Sequence, residues 1–334
     1  MTTSGNIRTD SMTQPHDGTG FDVLVETVHE ESDGVRSLSL VTTDGRPLPG
    51  WDPGAHIDLV LDDGLERQYS LCGSRDNRSR WRVAVLRASE SRGGSEWVHD
   101  RIRAGDHLRV RGPRNKFPLK TARKYVFIAG GIGITPLLPM IEELNATRPE
   151  TPWTLIYGGR RRESMAFLTE LDRFGDKVEI WPEDERGLID LDTVLGTPQF
   201  GTSIYCCGPE PLIKAVERLA RSWPPGSLHV ERFQAPVDTG MESPSQATFE
   251  VVAAQSGVTA QVPAGQTIVD VLAGYGIDIP VSCGEGVCGT CETKVLEGTP
   301  EHRDAVLTEE QRASGEVITP CCSRSKTPRI VLDV

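Results

Sequence analysis

Three cysteines stand within nine residues in "CGEGVCGTC", Cys283 to Cys291, and two more follow in "TPCCSRS", Cys321 and Cys322. The spacing is Cys283-x4-Cys288-x2-Cys291, then 29 residues, then Cys321. Thiolates in this pattern suit the four ligands of a [2Fe–2S] cluster. Gly284, Gly286 and Gly289 remove side chains, so backbone N–H groups can approach the sulfurs and the loop can take positive φ. Hydrogen bonds to sulfur and limited solvent access would tune the potential. Structural zinc is the competing use of such thiols, but its sites come as two short-spaced pairs, and an x4 gap is unusual there. A redox dithiol wants a single C-x-x-C opening a helix after a strand.

Two further clusters point to phosphate-bearing cofactors. "RQYSLCGS" carries Arg67, Gln68, Tyr69 and Ser70, and "RGGSEW" carries Gly93, Gly94 and Ser95. The first resembles the R-x-Y-S motif of the ferredoxin-NADP reductase superfamily, whose members bind a flavin. Arg67 can then fork onto a phosphate, Tyr69 can pack on a ribityl chain or ring, and Ser70 can hydrogen-bond the N5 edge of an isoalloxazine. Gly93, Gly94 and Ser95 at a helix N-terminus offer a phosphate site, with Ser95 the expected cap and Gly105 the stop. "FIAGGIGITPLLPMI" follows a buried strand and opens a helix. Gly130, Gly131 and Gly133 would let the backbone approach a pyrophosphate, and Thr135 and Pro136 suit the N-cap and first helical positions. This is not G-x-G-x-x-G. "YCCGPEPL" resembles the C-G-P motif of the same superfamily, which implies that Cys207, with Gly208 and Pro209, lies close to a nicotinamide. Cys206 faces the other way on the strand and reads as a buried hydrophobe, as does Cys72. Gly158 and Gly159 lead into Arg160, Arg161 and Arg162, where the adenosine end would be selected. Those arginines would permit NADPH; a basic turn contacting the shared diphosphate is the plainer alternative, and NADH is favoured.

The elements that must position these residues fall into three segments. From residue 20 to 121 short alternating runs broken by Gly, Asp and Pro predict an antiparallel sheet or small barrel. From 122 to 233 buried strands alternate with helical stretches, among them "TPLLPMIEELNAT", "MAFLTELDRFG" and "PEPLIKAVERLARSW", which predicts a parallel α/β sheet. Residues 234–247, rich in Pro, Ser and acids, read as a linker. Residues 248–334 mix short strands with a helix "QTIVDVLAGYG" and carry the cysteine loop. Residues 1–19 read as a disordered tail.

The formal net charge is −12, which argues against a nucleic-acid partner, because phosphate binding wants basic patches. From Thr248 onward there are 12 acids and 6 Lys/Arg, so about a quarter of the chain carries half the excess. That favours a docking partner with a basic face. No apolar run is long enough to span a bilayer, and the N-terminus lacks a secretory core. The expectation is a cytoplasmic monomer, whose thiols stay reduced and serve as ligands or reactive groups.

The cysteine segment resembles a plant-type ferredoxin domain. "HRDAVL" with "CCSRSK", and the order of the three segments, resemble the phthalate dioxygenase reductase family over almost everything after residue 20. That resemblance implies an antiparallel β-barrel flavin domain, an α/β nucleotide domain and an α+β β-grasp ferredoxin domain. It implies FMN rather than FAD, and Cys321 rather than Cys322 as the fourth ligand. It also implies that Leu86, Arg87 and the Phe233 of "HVERF" lie at the flavin. Nicotinamide gives two electrons together and a cluster passes one at a time, so a flavin must stand between them. The implied path is NADH to FMN to [2Fe–2S] to the terminal oxygenase of a Rieske-type system, with Ser70 and Cys207 positioning the rings. A cytochrome P450 is the alternative acceptor. A flavin NADH oxidase, or a zinc-stabilised binding module on an inert scaffold, is the reading from another class.

Overall fold

The computed structural model describes residues 20–61, 65–88, 93–234 and 247–334. The expected tail and the interior of the expected linker, 235–246, lie outside the described residues. Among the described residues no helix is long and apolar enough to cross a membrane.

The first sheet is built from β1 (Phe21–Ser32), β2 (Val35–Thr42), β3 (Ala55–Val60), β4 (Glu66–Ser70), β5 (Trp81–Leu86) and β6 (His107–Asn115). Its order is β4-β3-β6-β1-β2-β5, and every pairing is antiparallel. A bridge between Leu71 and Val83 ties the outer strands together, so the sheet curls on itself. The alternation in the sequence is the reason: Val23, Val25, Leu38, Leu40, Ile57, Leu59, Trp81 and Val83 all turn inward, as period-2 patterning requires. Helix α1 (Gly94–Arg101) covers one end. Its N-cap is Gly93, at φ +87, and it ends at Ile102. Ser95 is therefore inside the first turn, where its Oγ accepts from the Ala88 N–H at 3.1 Å, and Gly105 lies beyond the helix.

The second sheet is parallel throughout. Its strands are β7 (Lys124–Gly130), β8 (Trp153–Gly159), β9 (Val178–Pro182), β10 (Thr202–Cys207) and β11 (Leu228–Glu231), in the order β11-β10-β7-β8-β9. The chain runs outward from β7 in one direction and then returns to its other side, so β7 and β10 flank a topological switch point. Open α/β sheets bind ligands at the carboxyl ends of such strands. Helices α2 (Ile134–Thr147), α3 (Leu168–Leu171), α4 (Glu183–Arg186), α5 (Leu191–Leu195) and α6 (Glu210–Ala220) pack on its faces or edges. The helix expected over "MAFLTELDRFG" is reduced to the four residues of α3 and a 3-10 continuation. Phe167 takes φ +63 at its start and Gly175 interrupts its end at φ +56. The cap of α2 also differs from expectation. Gly133 holds that position, and Thr135 donates to the Ile132 carbonyl at 2.9 Å from inside the first turn.

The third unit is a mixed sheet of β12 (Phe249–Ala253), β13 (Val258–Val262), β14 (Thr293–Glu297), β16 (Val317–Ile318) and β18 (Arg329–Leu332), with β15 (Pro300–Glu301) paired to β17 (Arg324–Ser325). Its helices are α7 (Ile268–Ala273) and α8 (Glu309–Ser314), each opened by a capping box, Thr267 with Asp270 and Thr308 with Gln311. The buried Arg324 guanidinium donates to the carbonyls of Gln266, Val262, Pro263 and Ala247, tying the segment after the last cysteines to the sheet. The first two sheets are joined by the Arg82–Glu170 pair at 2.5 Å. The Tyr205 hydroxyl also donates to the Pro118 carbonyl at 3.1 Å.

Candidate functional site

All three units meet at one cleft. It is lined by His56, Arg67, Gln68 and Ser70 from the curled sheet, by Glu231 and Phe233 from the end of the parallel sheet, and by Cys283, Glu285 and Val287 from the cysteine loop. The strand register explains the first group. In the antiparallel ladder Ser70 pairs with His56 and Gln68 with Asp58, so Gln68 and Ser70 share one face of β4. Tyr69 packs on the core of the curled sheet, and burial pushes its phenol above the ordinary range.

Arg67 leans over the N-terminus of α1. A Cβ on Gly94 would come within 2.6 Å of the Arg67 side chain, so this glycine is the one that lets the guanidinium reach the helix end. A guanidinium and a helix N-terminus then converge at one point, two features that each favour an anion. Leu86 is half-exposed at the end of β5. Arg87 is engaged by Asp100 at 2.8 and 3.2 Å, and residues 89–92 lie outside the described residues.

Sequence reasoning missed Glu231. It ends β11 opposite Cys207, its partner in the parallel ladder, and it is hydrogen-bonded to Ser70. Its Oε2 is buried without a partner. Burial raises its carboxyl from 4.5 to about 8, so it holds a proton near neutral pH. In "HVERF" it reads as an ordinary solvated charge, and no local signal marks it. Cys207 is wholly buried, and that burial, followed by the Glu231 carboxylate, pushes its thiol well above the usual range. Phe233 remains 40% exposed at the cleft.

At the switch point the glycines divide their work. A Cβ on Gly133 would lie 2.2 Å from the Cys207 carbonyl oxygen, and one on Gly130 would lie 2.6 Å from Pro209. A Cβ on Gly208 would in turn meet the Gly130 backbone at 2.9 Å. The two strand-end loops therefore touch backbone to backbone, and Gly130, Gly133 and Gly208 serve that contact. Gly131, at φ +53, has no such neighbour and opens to space. Pro136 sits buried in the first turn of α2, where a missing N–H costs nothing. Arg160 and Arg161 are exposed, Arg162 is paired with Glu185 at 3.0 Å, and the Asp184 N–H donates to the Arg160 carbonyl.

Cys288, Cys291 and Cys321 are buried and Cys283 is partly so. The Glu285 N–H donates to the Cys283 sulfur at 3.3 Å, and the Thr290 N–H to the Cys288 sulfur at 3.3 Å. Cys283 interacts with Cys288 and Cys321, and these neighbours pull its thiol far down. The neighbouring Cys321 also lowers the Cys291 thiol. Cys322 interacts with Cys321 and also meets the Thr319 and Ser323 hydroxyls at 3.4 and 3.8 Å. The "HRDAVL" segment braces the loop from behind. Asp304 accepts from the Leu307 N–H at 2.9 Å and pairs with Arg312 at 3.3 Å, and the Ala305 and Val306 N–H groups donate to the Gly286 carbonyl. Among the described residues no three or more His, Cys, Asp or Glu side chains are arranged around a single ion; a two-iron cluster distributes its four thiolates over two irons. Four close sulfurs, two of them with backbone donors, make a donor set that fits such a cluster. The Arg67–α1 convergence and the polar face of β4 fit a phosphate-bearing ring cofactor.

The comparisons agree. A model of the 2Fe-2S iron-sulfur cluster binding domain matches residues 251–326. A model of the dimethylamine monooxygenase subunit DmmA-like N-terminal domain matches residues 111–224. The phenoxybenzoate dioxygenase subunit beta of Ectopseudomonas oleovorans is 44% identical over 86% of this chain and 89% of its own length. The phthalate 4,5-dioxygenase oxygenase reductase subunit of Pseudomonas putida is 38% identical over 97% of this chain and 99% of its own. The solved structure of phthalate dioxygenase reductase, described as transferring electrons from pyridine nucleotides to [2Fe-2S], superposes with TM-score 0.69 at 33% identity over 96% of this chain and all of that one. An intact type IV self-sufficient cytochrome P450 monooxygenase superposes with TM-score 0.87 at 42% identity over 94% of this chain, which spans only 41% of that polypeptide. The family binds FMN and NADH beside its [2Fe–2S] cluster. This chain therefore belongs to the phthalate dioxygenase reductase family, as an electron-transfer oxidoreductase with a ferredoxin-reductase-like body and a C-terminal [2Fe–2S] domain.

Proposed function

We propose that the chain takes hydride from NADH and delivers electrons singly to the terminal oxygenase of a Rieske-type mono- or dioxygenase system, working as a monomer. The observation that carries this reading is the shared cleft, where the R-x-Y-S strand, the end of the parallel sheet and Cys283 face one another. In this reading residues 20–121 are the FMN-binding barrel, 122–233 the NAD-binding domain, 234–247 a linker and 248–334 the β-grasp ferredoxin domain. Bound FMN supplies the exchange between a two-electron donor and a one-electron centre.

The chain's own residues hold and orient. Arg67 and the turn Gly93–Ser95 would hold the flavin phosphate, Gln68 and Ser70 would orient the polar edge of the ring, Tyr69 would back them, and Leu86, Arg87 and Phe233 would border it. Glu231 lies behind Ser70, and its burial favours the protonated carboxyl near neutral pH. Gly131, Thr135, Pro136 and the Gly208–Pro209 turn would border the dinucleotide, with Cys207 toward its nicotinamide end. Arg160 lies at the adenosine end. Arg162 is already engaged by Glu185 and acids crowd α4, which favours NADH over a 2′-phosphate. Cys283, Cys288, Cys291 and Cys321 hold the cluster; the contacts of Cys322 with two hydroxyls support that choice.

A P450 acceptor is the second reading, favoured by the close superposition on a self-sufficient P450. Low-temperature EPR after anaerobic NADH tests the path. A rhombic reduced [2Fe–2S] signal is expected. Consumption of NADH with no cluster signal would overturn it.

A further inference from the structure

The curled sheet touches the cysteine loop at its two ends. On one side the Lys116 ammonium pairs with Glu292, the residue after Cys291, at 3.1 Å. On the other the Gln68 amide donates to the Ser282 hydroxyl, the residue before Cys283, at 3.4 Å. The Lys116 stem also lies on the loop itself, because a Cβ on Gly289 would come within 3.0 Å of its Cε. Between these contacts runs the cleft that holds Cys283 and the buried, unpartnered Nε2 of His56.

We propose that Lys116 is a positioning residue for internal electron transfer, seating the cluster loop on the flavin side of the cleft through Glu292. This rests on the electron path proposed above. Three observations carry it. The cysteine-bearing unit has its own apolar core, so it does not need Lys116 to fold. The pair links the segment leaving the curled sheet directly to the residue after Cys291. Its side chains are 44% and 26% exposed, so solvent and salt reach it, and the seat is reversible rather than locked. The excess of acid in the C-terminal segment makes a lone lysine beside Cys291 the natural counter-charge. NADH is the reductant, and each transfer moves one electron from reduced flavin to the ferric pair.

The test uses the cofactor-loaded full chain. Zero-length carbodiimide coupling in low salt should yield a Lys116–Glu292 cross-linked peptide, lost near 1 M salt, where the Debye length is about 3 Å. In anaerobic stopped flow with NADH, K116E should leave flavin bleaching unchanged and slow cluster bleaching about fivefold. The exchange K116E/E292K should restore it. An absent cross-link at low salt, an unchanged cluster rate in K116E, or a double variant as slow as K116E overturns the proposal. Should K116E lose its dithionite-reducible cluster, K116Q carries the same comparison. Failure of the wild-type cluster to bleach at all would instead overturn the electron path itself.

Discussion

Gly286 should be the least replaceable glycine of the cysteine loop, and the structure says by how much. Its φ is +73, and an L-residue there costs about 1–2 kcal/mol. A Cβ would also lie 2.5 Å from the Cys322 sulfur and 2.8 Å from the Asp304 Cα. Overpacking of this kind costs about 1–3 kcal/mol, and the Asp304 backbone cannot swing aside. Gly286→Ala should therefore destabilise the loop by about 2–5 kcal/mol. Gly284 is the internal control. Its φ is +68 with nothing within 4 Å of a Cβ, so Gly284→Ala should cost only the conformational 1–2 kcal/mol or so. The assay is iron and labile sulfide per chain, with thermal loss of the visible cluster absorbance. Gly284→Ala should stay close to wild type and Gly286→Ala should lose most of its cluster. Adding Cys322→Ala to Gly286→Ala should recover part of it, because one of the two contacts is relieved. Equal loss in the two alanine variants would refute the claim that the loop is packed against Asp304 and Cys322.

Cys321→Ser should abolish the cluster absorbance while Cys322→Ser keeps it, as read by visible spectra and iron content; the reverse would reassign the fourth ligand. Glu231 has a raised carboxyl, so its contribution to stability is intact below pH 4.5 and is lost as pH rises towards about 8. At about 1.4 kcal/mol per pH unit, Glu231→Gln should be more stable than wild type at pH 8 by up to a few kcal/mol and indistinguishable at pH 4.5 in denaturant titrations. A difference independent of pH would show that burial does not hold the proton. Gly133→Ala would put a Cβ 2.2 Å from the Cys207 carbonyl, so it should slow flavin reduction by NADH by tenfold or so while dithionite-reducible cluster content is unchanged. Unaltered NADH kinetics would argue that the β7 and β10 loops do not need to touch.

The cysteine spacing and the strand–turn–helix order after β7 were legible because each depends on neighbours in the chain; that Gly130 and Gly133 are taken up by the contact with the β10 loop was not. A cluster loop needs its thiols at fixed short intervals, and a strand–turn–helix phosphate site is built from one continuous segment. Alternation and helical period likewise separate an antiparallel first sheet from a parallel second one. Local signals misplace the caps of α1 and α2. Ser95 and Thr135 are good capping residues, but tertiary packing begins each helix at glycine, where Arg67 and the Cys207 carbonyl press closely.

Sequence alone determined the [2Fe–2S] spacing, since ligand type and spacing are local properties, while FMN and NADH followed from the resemblance to a family. What only the tertiary structure decided is which residues face one another across the cleft. Glu231 is 161 positions from the Ser70 it binds, and Lys116 is 176 from the Glu292 it pairs with. Neither carries a local mark, because a lone acid or lysine in a strand or loop is ordinarily solvated. Folding three sheets around one cleft withdraws Glu231 from water and raises its proton affinity, and the same packing brings Lys116 to the loop that holds the thiolates.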